Sequence, residues 1–356
     1  MKDWRKVFMI VNSIDIFCEV IDNYGDVGVA YRLIRELREK YSSAKIRFFL
    51  NKTEEINLMK KKSDNIEILS FSDIKENIDT AELVIECFAC NIPKIYLKKA
   101  YDNSKLLINL EYFSAEDWVD DFHLLESILG KTKLRKFFFI PGISEKSGGL
   151  IIDKNFLKTK EKVQANRSYY LKKFNIMKNY DLIGSVFSYE KNFERLIFEL
   201  EKSGKNILLL IMSEKTQKNF IKYFDNTHKY DKIDFVKLPF YPYDEYEELL
   251  SLCDFNFIRG EDSFARALLL GKPFLWHIYP QNENTHLIKL ESFLGKYCRD
   301  WNELRNTFLN YNLSNDNYEY FFKNFDKIKE HNKKYSDYLL NNCNLVEKLD
   351  KFIRSF

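Results

Sequence analysis

Short apolar runs alternate along this chain with segments whose apolar residues recur every three to four positions, and the alternation occurs twice over. In the first half the runs Ile14–Val20, Ile46–Leu50, Ile66–Leu69, Leu83–Glu86, Leu106–Asn109 and Phe137–Ile140 predict strands. Val29–Tyr41, with Ala30, Leu33, Ile34 and Leu37 on one face, and a stretch around Ile92–Tyr101 predict helices between them. In the second half strands are expected at Leu182–Phe187, Ile207–Met212, Ile233–Leu238, Phe255–Ile258 and Phe274–Ile278. Helices are expected there at Glu194–Lys202, Thr216–Phe224, Glu245–Cys253, Ser263–Leu270 and Glu283–Phe293. Such alternation argues for an α/β fold with mostly parallel sheets covered by helices. Pro141 and Gly142 close the first series. The charged, weakly patterned segment 156–179 reads as a linker between a domain over 1–155 and another over 180–334. Beyond Asp300 the pattern is purely helical, and Tyr335–Phe356 reads as one final helix returning to the first domain.

Two polar knots interrupt this pattern. Asp22, Asn23, Tyr24, Gly25, Asp26, Val27 and Gly28 lie between the first apolar run and the first helical pattern, where α/β proteins place reactive groups. The two glycines suit a tight turn or a close ligand approach. A dinucleotide fingerprint would need a third glycine, and two acids would repel a pyrophosphate, so a cationic or nucleophilic substrate fits Asp22 and Asp26 better. The alternative for Asp26 is simple capping of the helix. The second knot, Arg259, Gly260, Glu261, Asp262 and Ser263, carries the opposite chemistry. Arg259 offers a fork of donors to phosphate oxygens, and the helix start after it favours anions. Asp262 or Ser263 is expected to cap that helix, leaving Glu261 for a sugar hydroxyl. An internal ion pair of Arg259 with Glu261 or Asp262 is the competing explanation. Phe187, Ser188 and Tyr189 supply an aromatic platform for a base, and Pro239 to Tyr243 a rigid wall. Together the knots suggest a ligand gripped between two domains.

Composition narrows the class. The 356 residues suffice for about two domains. A formal charge of +3 with dispersed lysines gives no reason to expect nucleic acid, and runs such as Lys60 to Lys62 read as solvated faces. The apolar stretch Val7–Val11 is interrupted by Asn12, Ser13 and Asp15, too short for a signal segment or a membrane span, so a cytoplasmic protein is the default. Cys87 and Cys90 form a C-x-x-C after a buried strand. No second pair accompanies them, and packing thiols are a better reading than metal or redox ligands. The histidines show no paired spacing of the kind metal sites use, and neither a metal nor a cofactor is expected. His277 reads as a packed or surface residue. The aromatic share of 16% accompanies many Lys, Asn and Ile, a nucleotide-bias signature, so aromatics are not read as functional one by one.

Longer blocks carry a resemblance. Ile14–Gly28 (IDIFCEVIDNYGDVG) closely resembles the signature of the bacterial protein-arginine rhamnosyltransferases called EarP. Ile85–Pro93, Ile108–Val119, Phe137–Leu150, Phe255–Ala267 and Gly271–Gln281 agree in order, so the likeness spans Ile14 to about Gln281. It implies a metal-independent GT-B glycosyltransferase with two Rossmann-like domains facing each other across a cleft. The implied reaction moves rhamnose from TDP-β-L-rhamnose to one arginine of translation elongation factor P, with inversion. Asp22 and Asp26 match the two essential aspartates, Asp26 being the base, and Glu261 joins the catalytic set. Arg259, Glu261, Asp262, Ser263, Tyr279 and Gln281 match donor-binding positions, Asn23, Tyr24 and Gly25 flank the sugar nucleotide, and Phe187 and Tyr189 lie near the thymine. Tyr243 stands where the family often has glutamine, and about a dozen residues precede the usual first strand. Other readings of the same fold are a nucleotide-sugar epimerase, a small-molecule transferase or a non-catalytic sensor.

Overall fold

The computed structural model describes residues 9–21, 24–57, 59, 66–224, 231–315 and 317–356. The chain divides into two compact units, residues 1–153 with 341–356, and residues 154–340.

The first unit is built on seven strands: β1 (Ser13–Cys18), β2 (Lys45–Leu50), β3 (Glu67–Ser70), β4 (Leu83–Cys87), β5 (Leu106–Leu110), β6 (Glu126–Ser127) and β7 (Arg135–Phe139). Their order is β3-β2-β1-β4-β5-β7-β6, and only β6 runs antiparallel, against β7. The central strands β1, β4 and β5 are buried nearly throughout, as continuous apolar runs covered on both faces must be. Phe17 and Phe49 stack at 4.7 Å on adjacent strands, and each such ring contributes about 1.5–3 kcal/mol by leaving water. Asp15, on β1, is 1% exposed yet fully used. Arg47 binds both its oxygens at 2.7 and 2.5 Å, and the hydroxyl of Tyr96 donates to it as well.

The second unit has five parallel strands: β8 (Leu182–Val186), β9 (Ile207–Ile211), β10 (Ile233–Lys237), β11 (Phe255–Arg259) and β12 (Phe274–His277), in the order β10-β9-β8-β11-β12. Both sheets thus reverse direction beside their first strand, between β1 and β4 and between β8 and β11. In open α/β sheets ligands bind at the carboxyl ends of the strands at such points.

Four expectations need correction. The first helix runs Tyr24–Lys40, five residues earlier than the apolar pattern indicates, so Gly25 and Gly28 are helical rather than part of a tight turn. The proposed linker 156–179 is mostly helix: Lys154–Ala165 and Arg167–Lys173 bury Phe156, Val163 and Tyr170 in the second unit. Lysines that face water hide this amphipathic pattern. The final helix is two, Phe325–Asn342 and Leu345–Ile353, separated at Cys343 and Asn344. There the chain forms a parallel bridge between Leu150 and Asn344, and the Asn344 side chain caps the last helix by accepting from Val346 and Glu347 N–H. Gly149 permits this docking. Its φ is +83°, and a Cβ there would lie 2.4 Å from the Cys343 carbonyl oxygen. The last helix then joins the first unit through Lys40–Glu347 (2.6 Å) and Tyr41–Asp350 (2.8 Å). Lastly, the helix expected at Glu283–Phe293 begins at Thr285, after a short 3-10 turn over Asn282–Asn284.

No helix among the described residues is long and apolar enough to cross a membrane.

Candidate active site

Asp26 lies in the first turn of the Tyr24–Lys40 helix, just past the carboxyl end of β1 at the sheet's switch point. It is 4% exposed. The N–H of Ile21 donates to its Oδ2 at 3.1 Å, and the hydroxyl of Tyr112 donates to its Oδ1 at 3.0 Å. The bond back to Ile21, upstream of the helix, ties the incoming chain to the helix start as a capping residue would. The bond to Tyr112 comes from a different strand end and serves no capping purpose. The helix behind Asp26 is anchored internally. Arg32 (1% exposed) and Arg35 meet the fully buried Asp153 at 2.9 and 3.8 Å. Breaking such a buried pair from one side costs about 3–5 kcal/mol, so the helix carrying Asp26 has little freedom to slide. Asp22 and Asn23 lie outside the described residues. Tyr24 and Gly25 are the first two residues of the helix.

The neighbouring strand ends complete this edge. After β4, Phe88 and Ala89 both adopt left-handed backbone, with φ of 60° and 50°. For side chains with a Cβ each such residue costs about 1–3 kcal/mol, which the surroundings must offset. They do so through Phe88 N–H to Leu110 O (2.6 Å) and Ala89 N–H to Asn109 Oδ1 (3.2 Å). Cys87 and Cys90, beside this turn, are buried thiols. Burial drives both upward, Cys90 to about 12, which disfavours the thiolate that redox or metal chemistry uses. Glu116 accepts from Ser114 Oγ at 3.0 Å and Asp120 accepts from Ser144 Oγ, so these acids brace local loops.

In the second unit Arg259 ends β11, again at the switch point. Its guanidinium carbon lies 4.5 Å from the ring centre of Phe187 and 4.8 Å from that of Tyr189, both just beyond β8. Nη1 donates to the Ser188 carbonyl at 3.3 Å. The two rings of the expected base platform thus also cradle the arginine. Beneath it, Ser188 is gripped on all sides. Its N–H donates to Thr216 Oγ1 (3.1 Å), its carbonyl accepts from that hydroxyl (2.8 Å), and its Oγ lies 2.7 Å from His277 Nδ1. Burial, with Lys191 and Arg259 nearby, pushes His277 down to about 3, so its ring is neutral at physiological pH. Tyr189 meets His277 and Tyr279 edge-on at 5.3 and 5.4 Å, and Tyr279 is 60% exposed.

The following helix runs Glu261–Leu270 with Gly260 as its N-cap residue, φ +74°. Neither Asp262 nor Ser263 occupies the capping position. Gly260 is required for its backbone angle, since a Cβ there would meet nothing within 4 Å. Asp262 accepts instead from the Tyr243 hydroxyl at 2.8 Å, and Ser263 Oγ pairs with the Tyr246 hydroxyl at 2.8 Å. Tyr243, directly after Pro242, thereby ties the start of one helix to the start of another. Gln281 is held on a separate turn: its N–H donates to His286 Nδ1 and its Oε1 accepts from Thr285, both at 3.1 Å. The structure thus links Phe187, Tyr189, Arg259, Tyr279 and His277 in one cluster, and ties the neighbouring Asp262 and Ser263 to Tyr243 and Tyr246. Sequence reasoning assigned no role to Tyr112, Phe88, Thr216 or His277. Their position at or just past a strand end, or at a helix start, was the only available signal.

The comparisons with known proteins agree with one another. The profile of the family described as Elongation-Factor P (EF-P) rhamnosyltransferase EarP matches residues 14–354. A protein-arginine rhamnosyltransferase of Pseudomonas aeruginosa is 34% identical over 309 residues, covering 80% of this chain and 82% of the relative. One from Shewanella oneidensis is 32% identical over 318 residues, 80% of each. A structure solved to explain EarP-mediated arginine glycosylation of translation elongation factor EF-P superimposes with a TM-score of 0.66 at 21% identity, over 96% of this chain and 98% of that one. A glycosyltransferase from Rickettsia africae superimposes with a TM-score of 0.50 at 10% identity, over 97% of both chains. With two α/β units of the GT-B kind and a family match running almost from end to end, this chain belongs to the EF-P rhamnosyltransferase family EarP and is a glycosyltransferase.

Proposed function

We propose that this protein transfers rhamnose from TDP-β-L-rhamnose to the side chain of one arginine of translation elongation factor P, inverting the anomeric centre, in the cytoplasm. One observation carries the reading beyond family membership. A hydrogen-bonded carboxylate stands at the switch point of one sheet and an aromatic-cradled guanidinium at the switch point of the other.

The chemical difficulty lies in the acceptor. A guanidinium keeps its proton above pH ~12, and its nitrogen lone pairs are delocalised over the planar fork. Asp26 attracts that cation and accepts a proton from the reacting nitrogen, while Asp22 orients it. Carboxylate and guanidinium are badly matched as base and acid at the outset. Once the nitrogen begins to bond to the anomeric carbon, its remaining proton becomes far more acidic, so proton transfer is late. The new C–N bond forms on the face opposite the departing phosphate, and the C–O electrons leave with TDP. Arg259 and the free N–H groups at Glu261–Ser263 stabilise the charge on that diphosphate. Such fixed donors supply the stabilisation that other transferases obtain from a metal ion. Phe187, Tyr189, Tyr243, Tyr279 and Gln281 surround the donor, and Glu261 holds a sugar hydroxyl. Asn23, Tyr24 and Gly25 complete the set of residues assigned to the sugar nucleotide.

The test is the intact mass of elongation factor P after incubation with this protein and TDP-rhamnose. A gain of about 146 Da, one deoxyhexosyl unit by covalent arithmetic, is expected. Unchanged mass with TDP-rhamnose, alongside turnover of UDP-GlcNAc, would replace this reading with that of an epimerase.

A further inference from the structure

Tyr112 lies two residues beyond β5, and its hydroxyl reaches across two strand ends to Asp26 Oδ1 at 3.0 Å. With Ile21 N–H on Oδ2 at 3.1 Å, each carboxylate oxygen has a fixed donor, and two donors on two oxygens define the plane of the group. Tyr112 is itself braced. Its ring stacks on Phe88 with centroids 4.3 Å apart and an interplanar angle of 15°. Phe88 is presented by the left-handed turn of Phe88 and Ala89, which is locked to the end of β5 through Leu110 O and Asn109 Oδ1. Strained turns persist where the surroundings over-determine them, and they cluster at functional sites. This one delivers an aromatic face to a tyrosine that remains 39% exposed, so core packing does not account for it.

We infer that Tyr112, braced by Phe88, is a positioning residue of the acceptor site that holds the Asp26 carboxylate in the plane from which it receives the guanidinium proton. The choice of donor has a physical logic. A lysine or arginine in this place would orient Asp26 equally well, but would set a positive charge beside the cation that Asp26 must attract. A phenol orients without adding charge. The inference rests on the proposed role of Asp26 as proton acceptor.

Steady-state transfer to elongation factor P, with TDP affinity and melting temperature measured in parallel, tests it on wild type, Tyr112→Phe, Phe88→Leu and the double variant. Tyr112→Phe keeps the ring and removes only the hydroxyl. It should lower kcat about tenfold, the usual worth of a hydrogen bond to a charged group, with KM for elongation factor P and TDP affinity within about twofold of wild type. Phe88→Leu should lower kcat about threefold, and the double variant should be no slower than Tyr112→Phe, because both act through one contact. Wild-type kcat in Tyr112→Phe would overturn the inference and leave the proposed function standing. So would a raised KM with unchanged kcat, which would make Tyr112 a simple binding residue. If wild-type protein leaves elongation factor P unmodified, the proposed function fails first and this inference with it.

Discussion

The two switch points of this protein hold opposite charges by matched means. Asp26, an anion, is oriented by a backbone N–H and a phenol. Arg259, a cation, is oriented by a carbonyl oxygen and the faces of two aromatic rings. These partners carry no formal charge, so they fix direction without adding a counter-charge of their own. Elsewhere the molecule treats charge differently. Arg32 with Asp153, and Arg47 with Asp15, are buried ion pairs whose fields close on themselves. The difference separates charges oriented by uncharged groups at a strand end from charges paired within the core.

Experiments can break this comparison at either pole. The largest expected effect is at the anionic one. Asp26→Asn keeps the shape and removes the base, and should cut transfer by about 10³-fold while TDP affinity stays near wild type. Equal loss of donor binding would make Asp26 a structural residue. At the cationic pole, Arg259→Ala should slow turnover about 10²-fold and weaken TDP binding in the same calorimetric titration, since it serves bound donor and leaving group alike. TDP affinity left untouched would remove Arg259 from the diphosphate site. A finer probe is Ser188→Ala, which strips the hydroxyl from His277 but keeps the carbonyl that Arg259 uses. The donor KM should rise about fivefold with kcat nearly constant, because only the support of the cradle is loosened. A change in kcat alone would argue that Ser188 meets the reacting centre.

The remaining effect is on stability rather than on transfer. His277 is depressed from 6.5 to about 3 and His123 to about 4, both chiefly by burial. A folded state that keeps these rings neutral takes up fewer protons than the unfolded chain below pH 6.5. Their stabilisation is therefore complete above that pH and is lost progressively as pH falls toward 4. Urea titrations at pH 7 and pH 5 should differ by about 2 kcal/mol in unfolding free energy for each ring. His123→Gln should flatten the slope, and an unchanged slope would mean that His123 is not held neutral.

Much of this architecture was legible from periodicity. The helix Glu194–Lys202 falls where the apolar spacing puts it, and each predicted strand is present within about two residues at either end. Legibility failed where polar residues serve packing. The residues 22–28 read as a glycine turn because acids and glycines weaken a helical pattern, yet the helix already includes Gly25 and Gly28. Lysine-rich Lys154–Ala165 read as linker because only Phe156 and Val163 are buried in it. Asp26 and Arg259 were visible as members of polar knots at strand ends. Their partners were not: Tyr112 is 86 residues from Asp26, and Ser188 is 89 from His277.

The amino-acid order by itself determined two parallel sheets, since buried strands need continuous apolar runs whatever lies around them, and it marked the strand ends where charge is tolerated. Which side chains meet at those ends was decided only in three dimensions. Hydrogen bonds and ring contacts act over about 3–6 Å, whereas the partners lie far apart along the chain, so sheet order rather than sequence neighbourhood chose a phenol for the carboxylate and two rings for the guanidinium.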